Sequence, residues 1–303
     1  MKEVIFLSDV LIAAIALIWV FVATIQDIKK REVANWLSFS LVITALSLRA
    51  IASIISGDAG YFFWGVAMTI ILFGIANLFY YSRIFAGGDA KLLIALGAAF
   101  ATTPVFTPII KTSLSGIPIL PFNAPFILVF IMNMLFVGSA YGLLFAVFLA
   151  FKNFSPFKKD CLKIGKRYAK WVVLCALFGG LLLLINRLYL SNDSALLISG
   201  TLIAIFPFLF IFVKSVENTS MIKLVKPSEL TEGDWLVNGV RIGRKVINPR
   251  FSGLDNSEIL LLRKRNKKVM IKQGIPFVPV FLMALLISFF IDILELLLIL
   301  FVQ

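Results

Sequence analysis

Apolar residues in this chain come in long blocks separated by short polar stretches. Residues 4–25 form the first block, and about 20 apolar residues in a helix suffice to cross a bilayer. Lys29, Lys30 and Arg31 follow this block rather than precede it, and its length exceeds that of a signal-peptide core. It therefore reads as a retained span with the N-terminus outside. Residues 33–55 and 61–81 form the second and third spans, joined by the turn "SGDAG" at 56–60, which lacks Lys and Arg. A weaker block, residues 89–110, contains Gly97, Pro104 and Pro108 and predicts a broken or kinked helix. Such irregular backbone at membrane depth must face protein or a wet cavity. After a Pro-, Ser- and Gly-rich stretch at 111–123, spans are expected at 124–151, 171–187, 195–213 and 276–301, with a basic loop at 152–170.

The pattern changes between residues 214 and 274, the only extended polar region. There "DWLVNGVRIGRKV" (residues 234–246) places β-prone runs on either side of Asn238-Gly239, a strong hairpin signal. The expected fold class is an all-α polytopic membrane helix bundle of about eight spans with a small β-rich cytoplasmic insert. The expected domains are a transmembrane bundle (1–213), the soluble insert (214–274) and a C-terminal transmembrane helix (275–303).

Composition sharpens this picture. The chain of 303 residues is 60% hydrophobic, against about half for a soluble domain. The formal net charge is +13. In a soluble protein that excess would suggest nucleic acid, but in a multispan protein it first reports orientation. With the N-terminus outside, the four inner connections hold 3, 2, 7 and 13 basic residues, whereas Lys2, Arg49, Lys111 and Arg187 fall outside. Long loops obey this rule less well than short ones. The excess is assigned to topology and membrane lipid headgroups, and no nucleic-acid partner is expected.

The chain has no histidine, which removes Ser–His and Cys–His catalysis and histidine-based zinc sites. Its two cysteines, Cys161 in the polar loop and Cys175 in an apolar run, form no C-x-x-C, so neither a zinc knuckle nor a disulfide framework is expected. Hydrolytic chemistry is left to carboxylates, lysine, or a metal held by oxygens.

Acids in or beside apolar spans are functional candidates by default. Asp9, near an outer helix end, reads as an interfacial or capping residue. Asp292 and Glu295 share one face of the last span and read as packing groups. Asp27 and Asp89 differ, because the topology puts both at the cytoplasmic ends of spans. Asp27 also fits a helix-end acid paired with Lys30 or Arg31, and Asp89 also fits an N-cap after the Gly87-Gly88 turn. If the two meet, they can share a proton and activate water against a carbonyl without histidine, metal or other cofactor.

"DIKKREVANWLS" (residues 27–38) and "GGDAK" (residues 87–91) together resemble the aspartic prepilin and preflagellin peptidases. That resemblance implies catalytic roles for Asp27 and Asp89, with motif or loop support from Asn35, Gly87, Gly88 and Lys91. It also implies a pilin- or archaellin-like precursor as substrate, cut at the cytoplasmic membrane edge to release a short basic leader. Ala34 stands where the family has proline, and Ala86 where it has the first glycine of G-x-G-D-x-K. The lack of C-x-x-C is similar to the archaeal, peptidase-only form. Three other classes are compatible with membrane acids. An ion-coupled transporter should show internal repeats, and none is visible. A presenilin-like intramembrane protease should carry Tyr before the first acid, where this chain has Gln26. A non-enzymatic scaffold of a surface-filament machine would use the insert for docking and cleave nothing.

Overall fold

The computed structural model describes residues 2–82, 84–107, 125–189, 194–242, 245–250 and 253–293. The chain divides into two compact units, Met1–Tyr141 with Pro276–Gln303, and Gly142–Ile275. Among the described residues, six helices are long and apolar enough to cross a membrane. The protein is a multi-pass helical membrane bundle that carries a small β insert.

In the first unit, α1 (Lys2–Lys30), α2 (Asn35–Ser56) and α3 (Ala59–Tyr81) are full-length apolar helices. The interior face of α1 is small and periodic. Ala13, Ala16, Val20, Ala23 and Asp27 recur at intervals of three or four and are buried, as one helix face against neighbours requires. Left-handed Arg31 (φ 57°) ends α1, and its N–H closes on the Asp27 carbonyl.

The next helix is short. α4 (Gly87–Ala99) has 13 residues and stops well before Pro104. It packs against α1, α2 and α3, and Leu92, Leu93, Ala95, Leu96 and Ala98 on all its sides are fully buried. Contact with α3 is tight at Gly97, where an added Cβ would lie 3.0 Å from Leu72. The expected break in the fourth apolar block is therefore a helix that ends inside the unit. The first unit is completed by the N-terminal part of α5 (Phe126–Lys152) and by α9 (Val278–Ser288), an apolar helix of 11 residues that packs on α1.

Two polar residues of this unit lie elsewhere than expected. Arg49 is not an outer-loop charge but a fully buried side chain of α2. Asp9 is not interfacial. It is buried in α1 and accepts hydrogen bonds from the Tyr61 hydroxyl (2.6 Å) and the Val105 N–H (2.9 Å). The reason is common to both: each polar group finds a buried partner on another helix, which charge counting along the chain does not register.

In the second unit, most of the stretch 152–170 expected as a basic loop, from residue 154 on, is helical instead. It opens α6 (Phe154–Tyr189), a continuous helix of 36 residues. Lys, Arg and Ala are good helix formers, and the neighbouring α7 (Ser194–Val216) supplies the packing partner. An added Cβ on Gly179 of α6 would come within 2.6 Å of the Gly200 carbonyl oxygen of α7, so the two backbones approach closely. A short π-helical turn (Glu217–Met221) follows α7, and Glu217 bridges Lys214 and Lys272.

The insert begins there. β1 (Ile222–Val225), β2 (Trp235–Leu236) and β5 (Val269–Lys272) form an antiparallel sheet in the order β1-β5-β2, and β3 (Val240–Ile242) pairs with β4 (Lys245–Ile247). Asn238-Gly239 does not form the expected hairpin. It links β2, which pairs with β5, to β3, which pairs with β4. Non-local pairing with β5 outcompetes the local turn signal because Leu236 and Ile271 are thereby buried together. α8 (Asn256–Lys264) closes this small core. Leu262 of α8 is fully buried in it. Leu262→Ala is expected to destabilise the insert by about 2–5 kcal/mol, detectable in the intact protein as faster proteolytic nicking between residues 222 and 272 with the helices unchanged.

Candidate functional site

The site forms where the ends of three helices meet in the first unit. Asp27 lies in the last turn of α1, Asp89 in the first turn of α4, and Val278 opens α9. Both carboxyl groups are buried, each residue 7% exposed. The Asp27 and Asp89 carboxyl groups lie within electrostatic reach of each other. The two acids suggested by the sequence are thus brought together as electrostatic neighbours.

Each acid is held by backbone. The N–H of Val278 donates to Asp27 Oδ2 at 3.0 Å, so the free amides at the start of α9 face a carboxylate, an arrangement that helix N-termini favour. The sequence reading missed this partner. Its available signal was Pro279, because proline near a helix start marks the first turn. Tyr141 of α5 also lies within electrostatic reach of Asp27 and was not singled out.

Asp89 is the third residue of α4, not its N-cap. The N-cap is Ala86, whose N–H donates to Asp89 Oδ2 at 3.1 Å. Asp89 thus provides the backward half of a capping box, a contact that uses one oxygen and fixes the side chain. Ala86 itself has φ −72° and ψ 164°, extended backbone open to any residue, so alanine suits this turn.

The loop between α1 and α2 contacts the residue that precedes each acid, Gln26 and Gly88. Ala34 has φ −62°, a value proline would adopt, but its N–H donates to Gln26 Oε1 at 3.0 Å, a bond proline could not make. Gly88 lies against Val33, where an added Cβ would be 3.3 Å from the Val33 Cβ. Gly87 is roomier, with only the Tyr80 ring at 3.8 Å. Asn35 and Lys91 meet directly, Lys91 Nζ donating to Asn35 Oδ1 at 2.6 Å. Lys91→Met removes this one exposed bond, and a loss of about 1 kcal/mol in thermal unfolding is expected, with Asn35→Ala giving the same loss and the double variant no further loss.

An aromatic cluster is built from residues next in sequence to the site. Phe85, just before α4, packs on Phe277 and Phe281 of the α9 segment, with ring centroids 5.8 Å apart in both pairs. Gly138 of α5 leaves room for Phe277, whose ring would lie 3.1 Å from an added Cβ. Asp292 lies after α9 and is buried, whereas Glu295 falls outside the described residues. Among the described residues, no group of three or more Cys, Asp or Glu side chains is placed to hold a metal ion.

This arrangement can do one kind of chemistry well. Two buried, backbone-pinned carboxyl groups near each other share a proton more readily than both ionise. A water between them can lose a proton to one while the other donates to an oxygen of a bound carbonyl compound.

Comparison with known proteins bears on the same region. Residues 14–151, which carry both acids, match the type IV leader peptidase family. The preflagellin peptidase of Methanococcus voltae is 28% identical over 142 residues, which cover 47% of this chain and 58% of that protein. The preflagellin peptidase of Methanocaldococcus jannaschii is 31% identical over 94 residues, covering 30% of this chain and 40% of that protein. No solved structure matches.

Proposed function

We propose, for a chain whose residues 14–151 match the type IV leader peptidase family, that it is a membrane aspartic endopeptidase with Asp27 and Asp89 as its catalytic pair. The substrate is a pilin- or archaellin-like precursor, cut between a short basic leader and a hydrophobic helix. The observation that supports this reading is a pair of buried carboxyl groups, at the ends of separate helices, within electrostatic reach of each other. The ionised carboxyl takes a proton from water as the oxygen attacks the scissile carbonyl carbon. The protonated one donates to the carbonyl oxygen, giving a neutral gem-diol. Collapse of that diol breaks the C–N bond: one diol hydroxyl gives its proton to the ionised carboxyl as the C=O re-forms, and the proton of the other carboxyl passes to the leaving amine nitrogen. One proton stays on the pair at the end, so the site is ready for another cycle.

The orientation belongs to the same proposal. The N-terminus lies outside, and the acids and the insert lie on the cytoplasmic side of the cell membrane, where a precursor's leader waits while its apolar helix is in the bilayer. The basic excess at that side contacts lipid headgroups rather than the leader, which is itself basic. Asn35, Gly87, Gly88 and Lys91 support the loops that hold the acids. Residues 1–213 form the catalytic bundle and 214–274 the insert, while the segment 275–303 adds the Val278 amide to the site.

The test uses the purified chain in liposomes with a pilin-like precursor, and the N-terminus of the product is read by mass spectrometry. A single cut at the leader–helix junction, lost in Asp27→Asn and in Asp89→Asn, is the expected result. Cleavage that persists in both variants, or solute flux without cleavage, overturns the reading.

A further inference from the structure

The far end of α4 holds a second polar cluster with no part in the chemistry above. At 13 residues, α4 is about 20 Å long, short of a hydrocarbon core of about 30 Å. Its last carbonyls therefore end in the protein interior, where water cannot complete their hydrogen bonds. Arg49 of α2 completes them. Its Nε donates to the Ala98 carbonyl at 3.0 Å and its Nη2 to the Ala99 carbonyl at 2.9 Å. Nη1 reaches the Tyr61 carbonyl in the first turn of α3 at 3.2 Å, and both terminal nitrogens reach Thr102 Oγ1 at 3.2 Å.

The rest of the cluster keeps this guanidinium in place. It lies 4.4 Å from the centroid of the Tyr61 ring, and the Tyr61 hydroxyl passes the connection on to Asp9 of α1. Gly65 of α3 makes the space, since an added Cβ would lie 2.7 Å from Arg49 Cδ. One fully buried arginine thus ties α2 and α3 to the end of α4, and through Tyr61 to α1. Ala98 and Ala99 sit on the same stiff helix as Asp89, whose first turn faces Asp27.

We infer that Arg49 is a positioning residue for Asp89, setting the height and rotation of α4 from the end opposite the acids. This rests on the Asp27–Asp89 reading. Without the guanidinium, the Ala98 and Ala99 carbonyls must find other donors, and α4 slides, turns or frays to do so. A shift of about 1 Å in a reacting group is enough to slow a reaction by about 100-fold.

The test measures initial rates of precursor cleavage in liposomes for Arg49→Leu, Arg49→Lys, Gly65→Ala and, as control, Asp89→Asn. Arg49→Leu is expected to lower kcat by about 100-fold with KM within about twofold. Arg49→Lys recovers part of that loss, because an ammonium group still offers three N–H donors. Gly65→Ala keeps the arginine but displaces it, and lowers kcat to an intermediate value. If Arg49→Leu does not fold, Gly65→Ala and Arg49→Lys decide. Wild-type kcat in the folded variants, or a rise in KM alone, overturns the inference. Full activity in Asp89→Asn would instead overturn the dyad reading, so the two failures are distinct.

Discussion

Asp27→Asn and Asp89→Asn are each expected to lower the rate of precursor cleavage by at least about 10³-fold, with the fold retained. Asn has nearly the volume of Asp, and its amide oxygen can accept the same hydrogen bond. For Asp27 that bond comes from the Val278 N–H, and for Asp89 from the Ala86 N–H. What Asn cannot do is exchange a proton at neutral pH. The substitution therefore separates the structural role of each acid, as a partner for a helix-end amide, from its chemical role. The measurement is single-turnover cleavage, with thermal unfolding of the same samples as the control. Unfolding midpoints close to wild type together with lost cleavage assign both acids to chemistry. A variant that melts early and cleaves in proportion to its folded fraction assigns that acid to the helix end.

The second large effect is expected at Gly88. A Cβ there meets Val33 at 3.3 Å, tighter than ordinary contact. Gly88→Ala forces a few tenths of an ångström between the loop and α4, and Gly88→Val forces more. Because Asp89 is the next residue, activity is expected to fall modestly for alanine and by about 100-fold for valine. Val33→Ala removes the opposing methyl groups and is expected to restore most of the activity lost in Gly88→Ala. A double variant no better than the single one would show that Gly88 matters for reasons other than this contact. Gly87→Ala, by comparison, meets only ordinary contact with Tyr80 and is expected to stay near wild type.

Much of this protein is legible along the chain because the bilayer imposes a simple rule: apolar blocks of sufficient length become helices. The first three spans, the fifth and the seventh follow from that rule with small shifts in their ends. The rule is silent where a helix continues past its apolar part. Most of the basic stretch 152–170 is therefore helical in α6, although its charges suggest a loop. Local turn chemistry misleads at Asn238-Gly239 for a different reason. Both flanking strands have partners closer in space than each other, β5 and β4.

The candidate site divides in the same way. The sequence by itself determined which residues could do acid–base chemistry. Histidine is absent, most acids lie in polar stretches, and Asp27 and Asp89 stand at the ends of apolar blocks beside motif residues. Only the tertiary structure decided what holds them. The Val278 amide comes from the last apolar segment, Gly88 is set against Val33, and Lys91 meets Asn35 across separate helices. Arg49 is the clearest case. Read along the chain it was an outer charge, and in the fold it is the buried donor that completes the end of α4. Periodicity and composition record which groups a chain must bury. Which carbonyl a buried arginine finds depends on where helices end, and that is decided by packing among elements distant in sequence.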